Sequence, residues 1–116
     1  MAEDILTQLS NYAFVRTEAA KQLLPLAEIK ARALSLPKGN FAFQTALKKP
    51  ELSFICECKK ASPSKGLIAP DFPYLTIAKE YETAGADCIS VLTEPKWFLG
   101  SDAIFEEVRK NIQLPM

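Results

Sequence analysis

Glu57 and Lys59 are the residues whose types and spacing best suit acid–base chemistry. They sit in the run Phe54-Ile-Cys-Glu-Cys-Lys-Lys-Ala-Ser-Pro-Ser-Lys-Gly66. This run opens as an apolar, β-forming segment, bounded by Pro50 before it and by Pro63 and Gly66 after it. On a strand, residues i and i+2 share a side, so the carboxylate and the ammonium face the same way, roughly 7 Å apart along the chain. Burying either charge unpaired is expensive. A strand with an acid and a base on one face, against Phe54, Cys56 and Cys58 on the other, is expected to line a pocket. The plainer alternative is a half-exposed edge strand whose polar face is simply wet.

The elements that must position this pair follow from the surrounding pattern. Ala61 to Gly66 is a loop of turn-forming residues. Asp71 to Ala84 reads as a helix, with Ile77, Ala78, Tyr81 and Ala84 toward a sheet and Gly85 as a left-handed terminator. Asp87 to Thr93 reads as a second strand, with Ser90 and Leu92 on the pocket side in a packing role. Strand, loop, helix and strand form a βαβ unit, which favours a parallel sheet. Ligands in such folds bind at the carboxyl ends of the strands, where Lys59 and the loop after it lie.

Upstream, Ile5, Leu9, Tyr12 or Ala13, and Arg16 trace a helical stripe through Asp4 to Lys21. Pro25 suits the first turn of a second helix carrying Leu26, Ile29 and Ala33 on one face. Leu36 to Asn40 breaks it, and Phe41 to Lys48 reads as a short helical turn. Downstream, Ser101 is expected to cap a helix whose apolar stripe is Ile104, Phe105, Val108 and Ile112. Leu114-Pro-Met116 then reads as the start of a third strand.

Composition narrows the class. At 116 residues, 48% hydrophobic and 24% charged, the chain is globular in character. Fourteen basic and fourteen acidic residues balance, so no electrostatic footprint for nucleic acid or an anionic membrane is present. No apolar run approaches the ~18 residues of a membrane span, and the N-terminus has no signal-peptide pattern. A cytoplasmic location is expected. Cys56, Cys58 and Cys88 all fall in expected strands and read as small buried hydrophobes in a reducing compartment. A Cys-x-Cys metal site would need further ligands, and the chain has no histidine to supply one.

Four segments in order carry a family resemblance: Cys56-Glu-Cys-Lys-Lys-Ala-Ser-Pro-Ser-Lys-Gly-Leu67, Ile77-Ala-Lys-Glu-Tyr-Glu-Thr-Ala-Gly-Ala-Asp87, Ile89-Ser-Val-Leu-Thr-Glu94 and Phe98-Leu-Gly-Ser101. Together they resemble the indole-3-glycerol phosphate synthases of tryptophan biosynthesis, from about Phe41 to Met116. The first forty residues match only as helical pattern. The family usually opens its first barrel helix with Asp-Pro one residue later than Pro73 stands here, which is expected to move the helix start by a residue.

The resemblance implies the N-terminal part of a (β/α)₈ barrel. Residues 1–50 would be a helical extension, and 51–116 the first two βα units with the start of strand 3. Such a barrel needs eight strands and about 250 residues, so the chain is expected to be the opening portion of an enzyme. The implied reaction converts 1-(2-carboxyphenylamino)-1-deoxyribulose 5-phosphate to indole-3-glycerol phosphate by ring closure, with loss of carbon dioxide and water. It uses neither metal nor organic cofactor, and its partner is a phosphorylated small molecule. By resemblance, Lys59 holds substrate anions and delivers a proton, and Glu57 orients Lys59 and joins the acid–base steps. Ser62 and Pro63 lie on a substrate-contacting loop, and Phe98 walls the anthranilate ring. The residues alone also allow Ser62 as an ordinary turn hydroxyl and Phe98 as an apolar anchor.

The family's principal proton-donating lysine falls on strand 3, past Met116, and its glycine-rich phosphate cradle on later strands. These 116 residues alone are therefore expected to be inactive and to associate through open sheet edges. Two alternatives remain: a non-catalytic associating barrel fragment, or another phosphate-binding barrel such as phosphoribosylanthranilate isomerase. The Ser-Pro-Ser loop and Phe-x-Gly-Ser favour the synthase pattern.

Overall fold

A computed structural model describes residues 3–116. The chain divides into two compact units, residues up to Gly39 and Asn40–Met116. In the first unit, α1 (Ile5–Leu23) starts where Asp4 accepts the Thr7 backbone N–H at 3.0 Å. The Thr7 hydroxyl and amide both donate to this carboxylate and hold it below its ordinary pKa. Leu9, Tyr12 and Arg16 form the half-buried stripe of α1, at the i, i+3, i+4 spacing of one helix face. Pro25 precedes α2 (Leu26–Ser35), where Glu28 and Arg32 pair one turn apart. The expected apolar face of α2 is not buried: Leu26, Ile29 and Ala33 are all exposed.

The second unit is mixed α/β. Phe41, in the left-handed region at φ 55°, leads into α3 (Ala42–Leu47). Strands β1 (Ile55–Cys58) and β4 (Cys88–Val91) pair in parallel, with register Ile55↔Cys88, Cys56↔Ile89, Glu57↔Ser90 and Cys58↔Val91. The crossover between them contains α4 (Tyr74–Thr83), as the βαβ pattern requires. Asp87 anchors the entry to the pair. Its carboxylate accepts the Lys49 ammonium at 2.6 Å and the Phe54 N–H at 2.8 Å, which hold it below its ordinary pKa. Strand β4 is shorter than the Asp87–Thr93 span expected: the paired register covers Cys88–Val91, with the Asp87 N–H donating to Phe54 O at 3.0 Å and the Leu92 N–H to Cys58 O at 3.2 Å just outside it.

Helix α4 begins at Tyr74, not at Asp71. Pro73 occupies its N-cap position, and the residue before a proline is disfavoured in the α region. The helix ends at Thr83 with Ala84 as its C-cap, and Gly85 follows at a φ of 91°, which suits a residue without Cβ. Ala78 is fully buried, and Ile77 and Tyr81 pack beside it. Ala84, expected on that face, is exposed because it lies at the helix end. The loop expected over Ala61–Gly66 closes instead as a short hairpin, β2 (Ala61–Ser62) with β3 (Gly66–Leu67), registered Ala61↔Leu67 and Ser62↔Gly66.

Helix α5 (Asp102–Asn111) is capped as expected, with Ser101 Oγ accepting the Ile104 N–H at 3.2 Å. Asp102 in its first turn and Arg109 and Lys110 in its last complement the helix dipole. Val108 and Ile112 close the core with Cys58, Ala78 and Ile89. Full burial of each Val or Ile side chain contributes about 1.5–3 kcal/mol. Beyond α5, Leu114–Met116 is not a strand. It nevertheless runs beside β4, because the Ile89 N–H donates to Pro115 O at 2.9 Å. Glu82 accepts the Gln113 N–H at 2.7 Å, and Arg109 donates to Leu114 O at 2.7 Å, so α4 and α5 both steer this segment.

Candidate functional site

The alternation along β1 separates two chemistries. Cys58 points into the apolar core with Ala78, Ile89 and Val108. Cys56 joins Phe54, Tyr81, Ala84, Gly85 and Ala86 around a hollow of about 240 Å³ on the α4 side. Burial pushes the Cys58 thiol up, with the neighbouring Cys56 and Glu57 adding to the effect. Burial raises the Cys88 thiol as well, with Asp87 contributing. Neither is poised as a thiolate nucleophile. Glu57 and Lys59 occupy the other face, 42% and 37% exposed, outside that hollow.

Lys59 leaves β1 directly after its last residue, and its Nζ lies 3.3 Å from Glu57 Oε1. The second carboxylate oxygen of Glu57 accepts the Ser90 hydroxyl at 3.1 Å. Beneath them, the Tyr81 hydroxyl donates to the Glu57 carbonyl at 3.1 Å and ties the strand to α4. A half-exposed ion pair adds little stability. What this arrangement supplies is orientation: an ammonium and a carboxylate side by side at the C-terminal end of a parallel strand.

Ser62, Pro63 and Phe98 stand on the segments that follow β1 and β4. The strands are parallel, so both segments leave the same edge of the sheet. Direct contacts unite Glu57, Lys59 and Ser90. Ser62 is instead bound into its own hairpin, its Oγ accepting the Lys65 N–H at 3.2 Å and lying 3.5 Å from Ser64 Oγ. Phe98, half-buried, is held by a turn that the residue pattern did not predict. The Glu94 carboxylate accepts the N–H groups of Lys96, Trp97 and Phe98 at 2.8–3.0 Å, and the Glu94 carbonyl accepts that of Gly100 at 2.9 Å. An acidic residue opening a Glu-Pro turn was the available signal for it. Ser90, expected to pack, instead meets Glu57, because a cross-strand partner depends on register.

The turn also accounts for the glycine in Phe98-Leu-Gly-Ser101. A Cβ on Gly100 would stand 2.0 Å from Leu92 O and 2.9 Å from Thr93 Cα. Those are backbone atoms of the segment leaving β4, so no side chain can move aside. Gly100→Ala is expected to destabilise the fold by about 3 kcal/mol or more, seen as a lowered urea midpoint; an unchanged midpoint would refute the close approach. Leu99, beside it, holds φ 53°, a conformation that favours Asn or Gly over a branched side chain. Leu99 is 43% exposed, so little burial is lost on replacement. Leu99→Asn is expected to raise stability by about 1 kcal/mol, and a midpoint that falls would contradict this.

A family model described as indole-3-glycerol phosphate synthase matches residues 6–116. The chain is 50% identical over 113 residues to the indole-3-glycerol phosphate synthase of Ruminiclostridium cellulolyticum, covering 97% of this chain and 44% of the relative. It is 48% identical over 113 residues to that of Endomicrobium trichonymphae, again covering 97% and 44%. For the protein of that name from Lacticaseibacillus paracasei, identity is 44% over 112 residues, covering 96% and 43%. The chain thus spans less than half the length of these curated relatives. With the match running through β1, α4, β4 and α5, the chain belongs to the indole-3-glycerol phosphate synthase family.

Proposed function

We propose that these residues form the opening portion of a (β/α)₈ barrel that makes indole-3-glycerol phosphate for tryptophan biosynthesis. In this reading residues 1–50 are a helical extension, and 51–116 contain the first two βα units and the approach to strand 3. The substrate is 1-(2-carboxyphenylamino)-1-deoxyribulose 5-phosphate, which closes its ring and loses carbon dioxide and water. The observation that carries the proposal is the Glu57–Lys59 pair, set at the strand end where parallel α/β folds bind ligands.

Within that site, Lys59 neutralises substrate anions and gives a proton to the reacting carbonyl. Glu57 keeps the ammonium aimed and takes part in proton transfer during dehydration. Ser62 and Pro63 shape the loop against the substrate, and Phe98 presents an aromatic wall to its ring. The reaction needs no cofactor, and a cytoplasmic setting suits three free cysteines. Among the described residues, no helix is long and apolar enough to cross a membrane.

By itself the 116-residue chain is inactive and associates, with copies of itself or with the rest of a barrel. Exposed Leu52, Phe54 and Ile55 around the start of β1 support this. The test joins residues 1–116 to the part of the Ruminiclostridium cellulolyticum relative that they do not match. The chimaera is expected to release indole-3-glycerol phosphate. Isomerisation of phosphoribosylanthranilate in its place would overturn the assignment.

A further inference from the structure

We propose that Ser90 is a positioning residue for Glu57, holding its carboxylate in the orientation that pairs with Lys59. The inference rests on the reading of Glu57 and Lys59 as the working pair. Glu57 and Ser90 are register partners in the parallel β1–β4 ladder, so the sheet itself sets their approach. An ionised carboxylate only accepts hydrogen bonds, so in the 3.1 Å contact the Ser90 hydroxyl is the donor. Its target is Oε2, while Lys59 takes Oε1 at 3.3 Å. Each oxygen of the carboxylate therefore has its own partner, one on β4 and one just past β1.

This division has a consequence for a half-exposed side chain. A glutamate has three rotatable bonds and considerable rotamer freedom to lose. One contact to a flexible lysine cannot hold it, since lysine itself rotates freely. Ser90 is a short side chain on a hydrogen-bonded strand, and its charge-assisted bond supplies the fixed point. Lys59 is then positioned by Ser90 through Glu57, each on its own carboxylate oxygen.

The experiment uses the same chimaera and compares Ser90→Ala, Ser90→Thr, Glu57→Gln and the double variant Ser90→Ala/Glu57→Gln. Ser90→Ala is expected to lower kcat about tenfold with KM changed less than about twofold, the loss of roughly one hydrogen bond. Ser90→Thr keeps the hydroxyl on a β-favouring residue and is expected to restore most of the rate. In the Glu57→Gln background, Ser90→Ala is expected to cost less than about twofold further, because the two act as one unit. Full additivity, or a threonine variant as slow as the alanine one at equal thermal stability, would overturn the positioning role. A crystal structure of Ser90→Ala with Glu57 still seated against Lys59 would overturn it independently of activity. Wild-type turnover in Glu57→Gln marks a different failure, that of the catalytic reading of Glu57 itself.

Discussion

Replacing Lys59 by Ala in an intact enzyme containing this segment is expected to lower kcat/KM of order 10²-fold or more. Lys65→Ala is expected to change it less than about threefold. The contrast is the substance of the prediction, because both are lysines within one short stretch of loop. Lys59 follows β1 at the sheet's C-terminal edge, its Nζ held 3.3 Å from a carboxylate that is itself anchored across the sheet. Lys65 is exposed in the turn of the β2–β3 hairpin, where its backbone N–H serves Ser62. A fixed ammonium can stabilise charge as it develops on the substrate, whereas a mobile one in water is screened. A fall in kcat and kcat/KM together would mark an interaction made in the transition state. Equal, small losses for both lysines would reduce Lys59 to ordinary surface charge.

Residues 1–116 purified alone are expected to show no measurable turnover and to run above monomer mass. Among the described residues the parallel sheet has two strands, so β1 pairs on one edge and leaves the other unpaired. Phe54 and Ile55 at its start remain more than half exposed. Unpaired edges beside apolar surface drive association. Chemically, the chain spans 44% of the Ruminiclostridium cellulolyticum relative. By resemblance, the strand-3 lysine and the phosphate cradle lie in the part it does not match. Supplying that part as a second polypeptide is expected to recover activity, since the open edge of β1 and the segment beside β4 are its natural neighbours. Sedimentation and a product assay decide the matter. A monodisperse monomer turning over near the rate of a full-length relative would refute the reading.

Much of this architecture was legible from residues alone, for reasons that are local. Pro25, Gly85 and Ser101 mark helix boundaries by dihedral preference and capping, which act within a turn of chain. The period-2 pattern from Phe54 to Lys59 separated charges from cysteines, because water and core lie on opposite faces of a strand. Where local signals compete, structure departs from the pattern. The residue pattern predicts Asp71 and Phe72 inside α4, but Pro73 disfavours the helical region just before it and the helix starts at Tyr74. The turn-formers of Ala61–Gly66 also concealed a two-residue ladder, because Ala61 and Leu67 pair only once Gly66 adopts φ 62°.

By itself, then, the sequence determined the βαβ order, the helix caps, the face shared by Glu57 and Lys59, and the family. Tertiary structure alone decided which groups meet. The Ser90 hydroxyl reaches Glu57 because the strands pair in one parallel register and no other. Asp87 finds Lys49 and the Phe54 amide, and Gly100 lies against the Leu92 carbonyl, through chain reversals that no neighbouring residue encodes. Propensity and capping act over a few residues. Register and close approach arise when segments tens of residues apart share one core, and only that packing brings the carboxylate, the hydroxyl and the ammonium together.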